Sequence, residues 1–315
     1  MFIDTDSHLS LQNFFEGFDF DPQFRATYEQ YKLDATLATH QKFLEEQGIH
    51  RQLIHYGNLG SGFKYRLPKD LGVAIMQHCN DRIKQVCSED SRFDFTLWLA
   101  LQSPEHSLAE IERTKHWKFF AYHFSDCVAW ALLPEYEKIF SRLAELKIPV
   151  YLHILGYFDQ PREYDKSDPV YCKVSAEYPD PYDARDQWLP ALVTFITSGL
   201  LDRIPDLRIV IAERDINWIR PLQDYMLKNG WPDPLPYFKK NFWFTTEPES
   251  PTFLQDAEFI GWDRLLFATD FPHHTTDRGG SNQYNDVATV QALNLPAEKL
   301  AAFTWQNYIK LFNRI

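Results

Sequence analysis

Short apolar and alternating runs punctuate the chain, each followed by a stretch with apolar residues at helical spacing. The runs at 2–9, 50–56, 93–101, 118–124, 149–154, 207–213, 242–245 and 265–270 read as strands. Residues 35–47, 71–87, 107–114, 133–146, 187–198, 218–228, 252–260 and 296–312 read as helices. Gly48, Gly199 and Gly261 stand where three of these helices stop, and Asn229-Gly230 ends a fourth. Strands that alternate with helices predict a parallel sheet, and eight of them predict closure into a (β/α)₈ TIM barrel, an α/β fold. No internal repeat, low-complexity tract or linker interrupts the pattern, so residues 1–315 read as one barrel domain. Two long polar segments, 10–33 and 156–186, follow the first and fifth strands. Both are loops at the barrel end where active sites are built, and loops of that length serve as lids.

Side chains on a strand alternate faces, so the first strand predicts Asp4, Asp6 and His8 on one side and Ile3, Thr5 and Ser7 on the other. Two carboxylates and an imidazole on one face are costly without a positive partner, and a divalent metal is the simplest one. Polar residues at the C-terminal ends of barrel strands are the ones to suspect of chemistry. Here they are Asp6 and His8, then His153 after Val150-Tyr151-Leu152, Glu213 after Val210-Ile211-Ala212, and Asp270 at the end of the eighth strand. Singly, each has a structural alternative. A strand-end histidine can be a hydrogen-bonded core residue, Glu213 can pair with Arg214, and Asp270 can cap a turn before Phe271-Pro272. On strands that close into one ring they converge on one point.

The chain of 315 residues carries a formal net charge of −12, which argues against nucleic acid or an anionic membrane as partner. Its longest apolar run falls short of a membrane span. The four cysteines, Cys79, Cys87, Cys127 and Cys172, form no paired motif and read as reduced thiols in a cytoplasmic protein. No signal peptide is expected ahead of the first strand. Aromatics make up 16% of residues, and Tyr157, Phe158, Tyr164, Trp188 and Trp218 are expected near the barrel mouth. They suggest a small, apolar or ring-containing substrate, whose carboxylate Lys64, Arg66 or Arg214 could receive.

Asp6-x-His8, the Pro-Val-Tyr-Leu-His run ending at His153 and the Leu-Leu-Phe-Ala-Thr-Asp-Phe-Pro-His run around Asp270 together resemble the signature of the amidohydrolase superfamily. The resemblance is to the branch that includes aminocarboxymuconate semialdehyde decarboxylase, and runs through 204–213, 242–248 and 305–312. It implies one divalent metal ion, zinc, manganese or iron, with Asp6, His8, His153 and Asp270 as its ligands or near-ligands. The fourth strand ends in Tyr122 and His123 rather than in the lysine of binuclear relatives, which favours a single ion. Two departures stand out: Asp6 replaces the first histidine of the common His-x-His motif, and Glu213 stands where the decarboxylases carry a histidine. The resemblance also implies a homodimer.

The reading that uses every unusual residue is hydrolysis of an ester, lactone, thioester or amide, with Asp270 as general base and Glu213 holding the leaving group or the water. His273, His274, His123 and Trp218 are then candidates for substrate contact, and His55 for the site wall. The alternative is non-oxidative decarboxylation of an aromatic or enoic acid, with Asp270 or a neighbour protonating the carbon that loses carbon dioxide. A third reading is a barrel that binds a ligand without catalysis.

Overall fold

The structure is a computed structural model that describes residues 1–10, 35–56, 68–125, 134–153, 168–177, 188–246, 248, 250–273 and 284–312, without the side chains of Tyr56, Ser125 and His153. Ten short strands occupy eight positions: β1 (Ile3–Asp4) with β2 (His8–Leu9), β3 (Arg51–Tyr56), β4 (Phe93–Phe95) with β5 (Leu97–Trp98), β6 (Tyr122–Ser125), β7 (Val150–His153), β8 (Ile209–Ala212), β9 (Phe242–Thr246) and β10 (Leu265–Phe267). Each position pairs in parallel with the next. The eighth returns to the first. The Thr5 N–H donates to the Phe267 carbonyl (2.9 Å), and Ser7 bridges Phe271 in parallel. This is the (β/α)₈ barrel expected from the alternation.

The strands are buried on both faces. One face packs Ile54, Phe124, Leu152, Ile211 and Phe244 against the helices. The other fills the barrel interior with Ile3, Leu53, Phe120, Tyr151, Val210, Ala212 and Leu266. The far end of the barrel is closed by the last helix, Asn307–Phe312. Its Tyr308 ring stacks on Phe120 at 4.7 Å, and its hydroxyl donates to Asp94 (2.7 Å).

Sequence and structure part company at the first strand. Asp4 pairs with Gln52 in β3, yet His8 pairs with His55, so three residues of the first strand face two of its neighbour. That is a β-bulge, and it shifts the side-chain alternation by one. Asp4 therefore does not share a face with His8. It accepts hydrogen bonds from Gln52 Nε2 (2.7 Å), Thr269 Oγ1 (2.7 Å), and the backbone N–H groups of Thr269 (3.0 Å) and Asp6 (3.2 Å). Smaller differences lie in the helices. The described part of the second long segment contains a helix, Pro169–Glu177, held by buried Tyr171 and Val174. Two further helices, Leu235–Asn241 and Asp286–Ala292, have too few apolar positions to show as periodic runs. The closing helix is continuous from Ala297 but passes through one π-helical stretch, Ala302–Gln306. The first long segment lies almost wholly outside the described residues.

One buried amide fastens the third strand position to the helix beside it. Asn80, on helix Lys69–Cys87, accepts from the Trp98 N–H (2.7 Å) and donates to the Trp98 carbonyl (2.9 Å) and to Glu110 (2.8 Å). Replacing Asn80 with alanine strands buried polar groups of Trp98 and Glu110. It should cost about 3 kcal/mol of stability, read from the urea unfolding midpoint. A loss under about 1 kcal/mol would contradict that assignment.

Candidate metal centre

The site is built at the strand ends by backbone turns that ordinary residues avoid. β8 is buried throughout, and the next residue, Glu213, turns the chain at φ 56°. Asp270, three residues past β10, does the same at φ 51°. A left-handed backbone at a non-glycine residue is strained and persists where its surroundings impose it. At Glu213 the N–H donates to Thr245 Oγ1 on the adjacent β9 (3.3 Å). Around Asp270 the restraint comes from the Asp4 carboxylate, which holds Thr269 by two hydrogen bonds. The His8 N–H donates to the Phe271 carbonyl (2.7 Å), which sets the first strand beside this turn. Both turns aim a carboxylate at the imidazole that the bulge has re-aimed.

Three carboxylates crowd one imidazole nitrogen. His8 Nε2 lies 3.0 Å from Asp270 Oδ1, 3.5 Å from Glu213 Oε1 and 3.6 Å from Asp6 Oδ1. The His273 ring sits edge-on to His8 at 4.5 Å between centroids. His8, Glu213, Asp270 and His273 each present one ligand atom within 4.8 Å of all the others, a group able to hold one metal ion. Asp6 adds a decisive observation. It is buried, and neither of its carboxylate oxygens accepts a hydrogen bond. Its nearest ring nitrogens, His55 Nε2 at 3.4 Å and His8 Nε2 at 3.6 Å, are long contacts, and a buried carboxylate so weakly partnered is expensive unless it is paired with a cation. Oxygen and imidazole nitrogen are the ordinary donors for zinc, manganese and iron, so the residues present fit a divalent ion.

The acid–base behaviour follows from the same crowding. Burial pushes the Asp6 carboxyl well above the usual carboxylate range, with His8 opposing and Asp270 and Glu213 adding to the rise. Asp270 is likewise pushed well up, by burial first and then by Glu213. Burial alone would lower the His8 imidazole. Its hydrogen bond with Glu213 and the charges of Asp6, Glu213 and Asp4 outweigh that and raise it. Asp4 rises to about 7 through burial, despite its hydrogen bonds.

Of the residues expected at the site, Asp6, His8, Glu213, Asp270 and His273 come together. His153 ends β7, its backbone paired with Ser125 and Ala212. His274 lies outside the described residues, as do Lys64, Arg66, Tyr157, Phe158 and Tyr164. His123 is buried in the barrel interior, where its Nδ1 accepts from Trp98 Nε1 (3.1 Å) and its ring lies 5.2 Å from His55. Trp218 was expected at the mouth, but its ring packs edge-on to Trp188 (4.9 Å), Phe238 (5.6 Å) and Phe244 (6.0 Å), in the layer between strands and helices. Trp218 stands at the start of helix Ile219–Lys228. Arg214 lies over the Trp188 ring at 5.2 Å. Sequence reasoning missed Tyr151, whose hydroxyl donates to the Thr5 carbonyl beside Asp6 (2.8 Å). Its position two residues before His153 in a strand was the available signal.

Comparison with known proteins places these residues in context. The profile described as amidohydrolase matches residues 73–314, more than half of the chain. A gamma-resorcylate decarboxylase of Rhizobium sp. (strain MTP-10005) is 22% identical over 289 residues, covering 84% of this chain and 84% of that protein. Among solved structures, 2,6-dihydroxybenzoate decarboxylase from Rhizobium aligns over 99% of this chain and 98% of its own, with a TM-score of 0.71 and 19% identity. The 5-carboxyvanillate decarboxylase of Novosphingobium aromaticivorans DSM 12444, in complex with manganese and 4-hydroxy-3-methoxy-5-nitrobenzoic acid, aligns over 99% and 96%, with a TM-score of 0.75 and 19% identity.

Because the Asp6 and Asp270 carboxyls are raised, both hold protons into a range where ordinary carboxylates have lost them, and a cation must displace those protons. Manganese affinity should therefore fall as the pH is lowered through that range, with protons released on binding. Calorimetry in buffers of different ionisation enthalpy reads both. An affinity flat across that range, with no proton release, would contradict the site as described.

Proposed function

The chain belongs to the amidohydrolase family, and within it we propose that it is a metal-dependent, non-oxidative decarboxylase of hydroxylated aromatic acids. The observation that carries this reading is the chemistry of its relatives. A protein matching 84% of both chains and structures matching nearly end to end are decarboxylases of resorcylate, dihydroxybenzoate and carboxyvanillate. This reverses the order expected from the sequence, in which hydrolysis came first.

Asp6, His8 and Asp270 would hold the ion, with His153 as the further ligand expected from the sequence. When bound, the ion supplies positive charge that holds and orients the carboxylate and neighbouring oxygen of the substrate. Manganese, bound by the carboxyvanillate enzyme, suits this oxygen-rich donor set. Asp270 beside the ion is suited to the proton transfer: having lost its own proton when the ion binds, it takes one from the substrate's hydroxyl group or from water. It delivers that proton to the ring carbon bearing the carboxylate. The carbon–carbon bond then breaks, its electron pair returns to the ring, carbon dioxide leaves, and Asp270 is left as a carboxylate. His273, whose ring lies against His8, is placed to contact substrate. Glu213 keeps the charge around His8 and Asp270 high.

Glu213 also supports the hydrolytic reading, since a carboxylate 3.5 Å from His8 Nε2 could orient a water. The homodimeric state and cytoplasmic location expected from the sequence belong to this proposal too; no helix among the described residues is long and apolar enough to cross a membrane.

Incubation of manganese-loaded protein with 2,6-dihydroxybenzoate, 5-carboxyvanillate and a set of aryl esters and lactones separates the two chemistries. The proposal expects carbon dioxide and the decarboxylated phenol from at least one acid. Asp270→Asn should lower kcat by about 10³-fold. Ester or lactone cleavage without carbon dioxide release would overturn it.

A further inference from the structure

Besides His8, a second buried ring faces Asp6. His55, on β3, is fully buried, and its Nε2 lies 3.4 Å from Asp6 Oδ1 and 3.5 Å from the Thr5 carbonyl oxygen. Its Nδ1 lies 2.9 Å from Thr96 Oγ1. A carboxylate and a carbonyl only accept hydrogen bonds, whereas a threonine hydroxyl can donate or accept. A proton on Nδ1 alone would turn the Nε2 lone pair toward two acceptors. The arrangement without that repulsion puts the proton on Nε2, facing Asp6, with Thr96 donating to Nδ1. Thr96 is itself fixed at the break between β4 and β5, where its N–H donates to the Ile54 carbonyl (3.1 Å). The His55 ring cannot swing away. It packs on Tyr151 at 4.2 Å and on His123 at 5.2 Å, and Trp98 holds His123 in turn.

We propose that His55 is a positioning residue for the metal-binding carboxylate of Asp6, with Thr96 fixing the proton on the ring nitrogen that faces it. The proposal rests on the reading of Asp6 as a metal ligand. A ligating carboxylate has several geometries open to it, and a donor 3.4 Å from Oδ1, the oxygen that also lies 3.6 Å from His8 Nε2, restricts them. Asp6, His55 and Thr96 come from three neighbouring strand positions, so the carboxylate is oriented by the barrel wall. His55 needs no contact with substrate for this role.

The test is manganese affinity, measured by electron paramagnetic resonance of the free ion, in a double-mutant cycle between His55→Leu and Asp6→Asn. His55→Leu should weaken binding about 10-fold or more when Asp6 is present and by less than about 2-fold in the Asp6→Asn background. His55→Gln, which keeps a donor, should recover part of the loss. Thr96→Val, which is nearly isosteric and guards against a folding defect at position 55, should weaken binding by several-fold with unchanged thermal stability of the metal-free protein. Equal losses in both backgrounds, or full affinity in His55→Leu and Thr96→Val, would overturn the role of His55. Full affinity in Asp6→Asn would instead overturn Asp6 as a ligand, and this role with it.

Discussion

Three carboxylates, Asp6, Glu213 and Asp270, reach toward one imidazole nitrogen in a region largely closed to water. At an effective dielectric near 20, two like charges at the spacing of the Glu213 and Asp270 ligand atoms repel by about 3 kcal/mol, and Asp6 adds to this. Protonation of Asp6 and Asp270 relieves part of it, as the upward displacement of both groups records. A cation held by this group would relieve more. The site is a place where the fold has concentrated unfavourable charge, and an ion is the partner that makes the concentration tolerable.

The fold holds this arrangement by constraint. A bulge in the first strand sends Asp4 to one face and His8 to the other. Asp4 then ties the first strand to Thr269 just past the last, closing the ring at the point where Asp270 must be placed. Left-handed turns at Glu213 and Asp270 are secured by threonines on β9 and beside β10. The interior below is filled by Tyr151, His55 and His123, which pack on each other and leave Asp6 little freedom. Strain at the rim is thus carried by hydrogen bonds within the barrel wall.

Much of this was legible in the residue order. Parallel strands buried on both faces read as apolar runs, so polar residues at their ends, Glu213 and Asp270, stand out without an alignment. What the order could not show depended on pairing between strands. The extra residue between Asp4 and His8 is visible only against β3, so a strict period of two put Asp4 on the wrong face. Trp218 was expected near the mouth with the other lid aromatics, and its ring is instead taken up by packing on Trp188, Phe238 and Phe244. The helix Pro169–Glu177 was hidden by the polar composition around it. The change from hydrolysis to decarboxylation came from relatives and not from geometry, since a carboxylate beside a cation can serve either reaction.

Locating the ion tests the central claim most directly. A crystal grown with manganese, with anomalous data collected at its absorption edge, should show one strong peak bonded to Asp6, His8 and Asp270 at about 2.0–2.4 Å. No peak there at saturating manganese, or a peak that leaves the Asp6 oxygens without a partner, would contradict the view that these carboxylates are gathered to hold a cation.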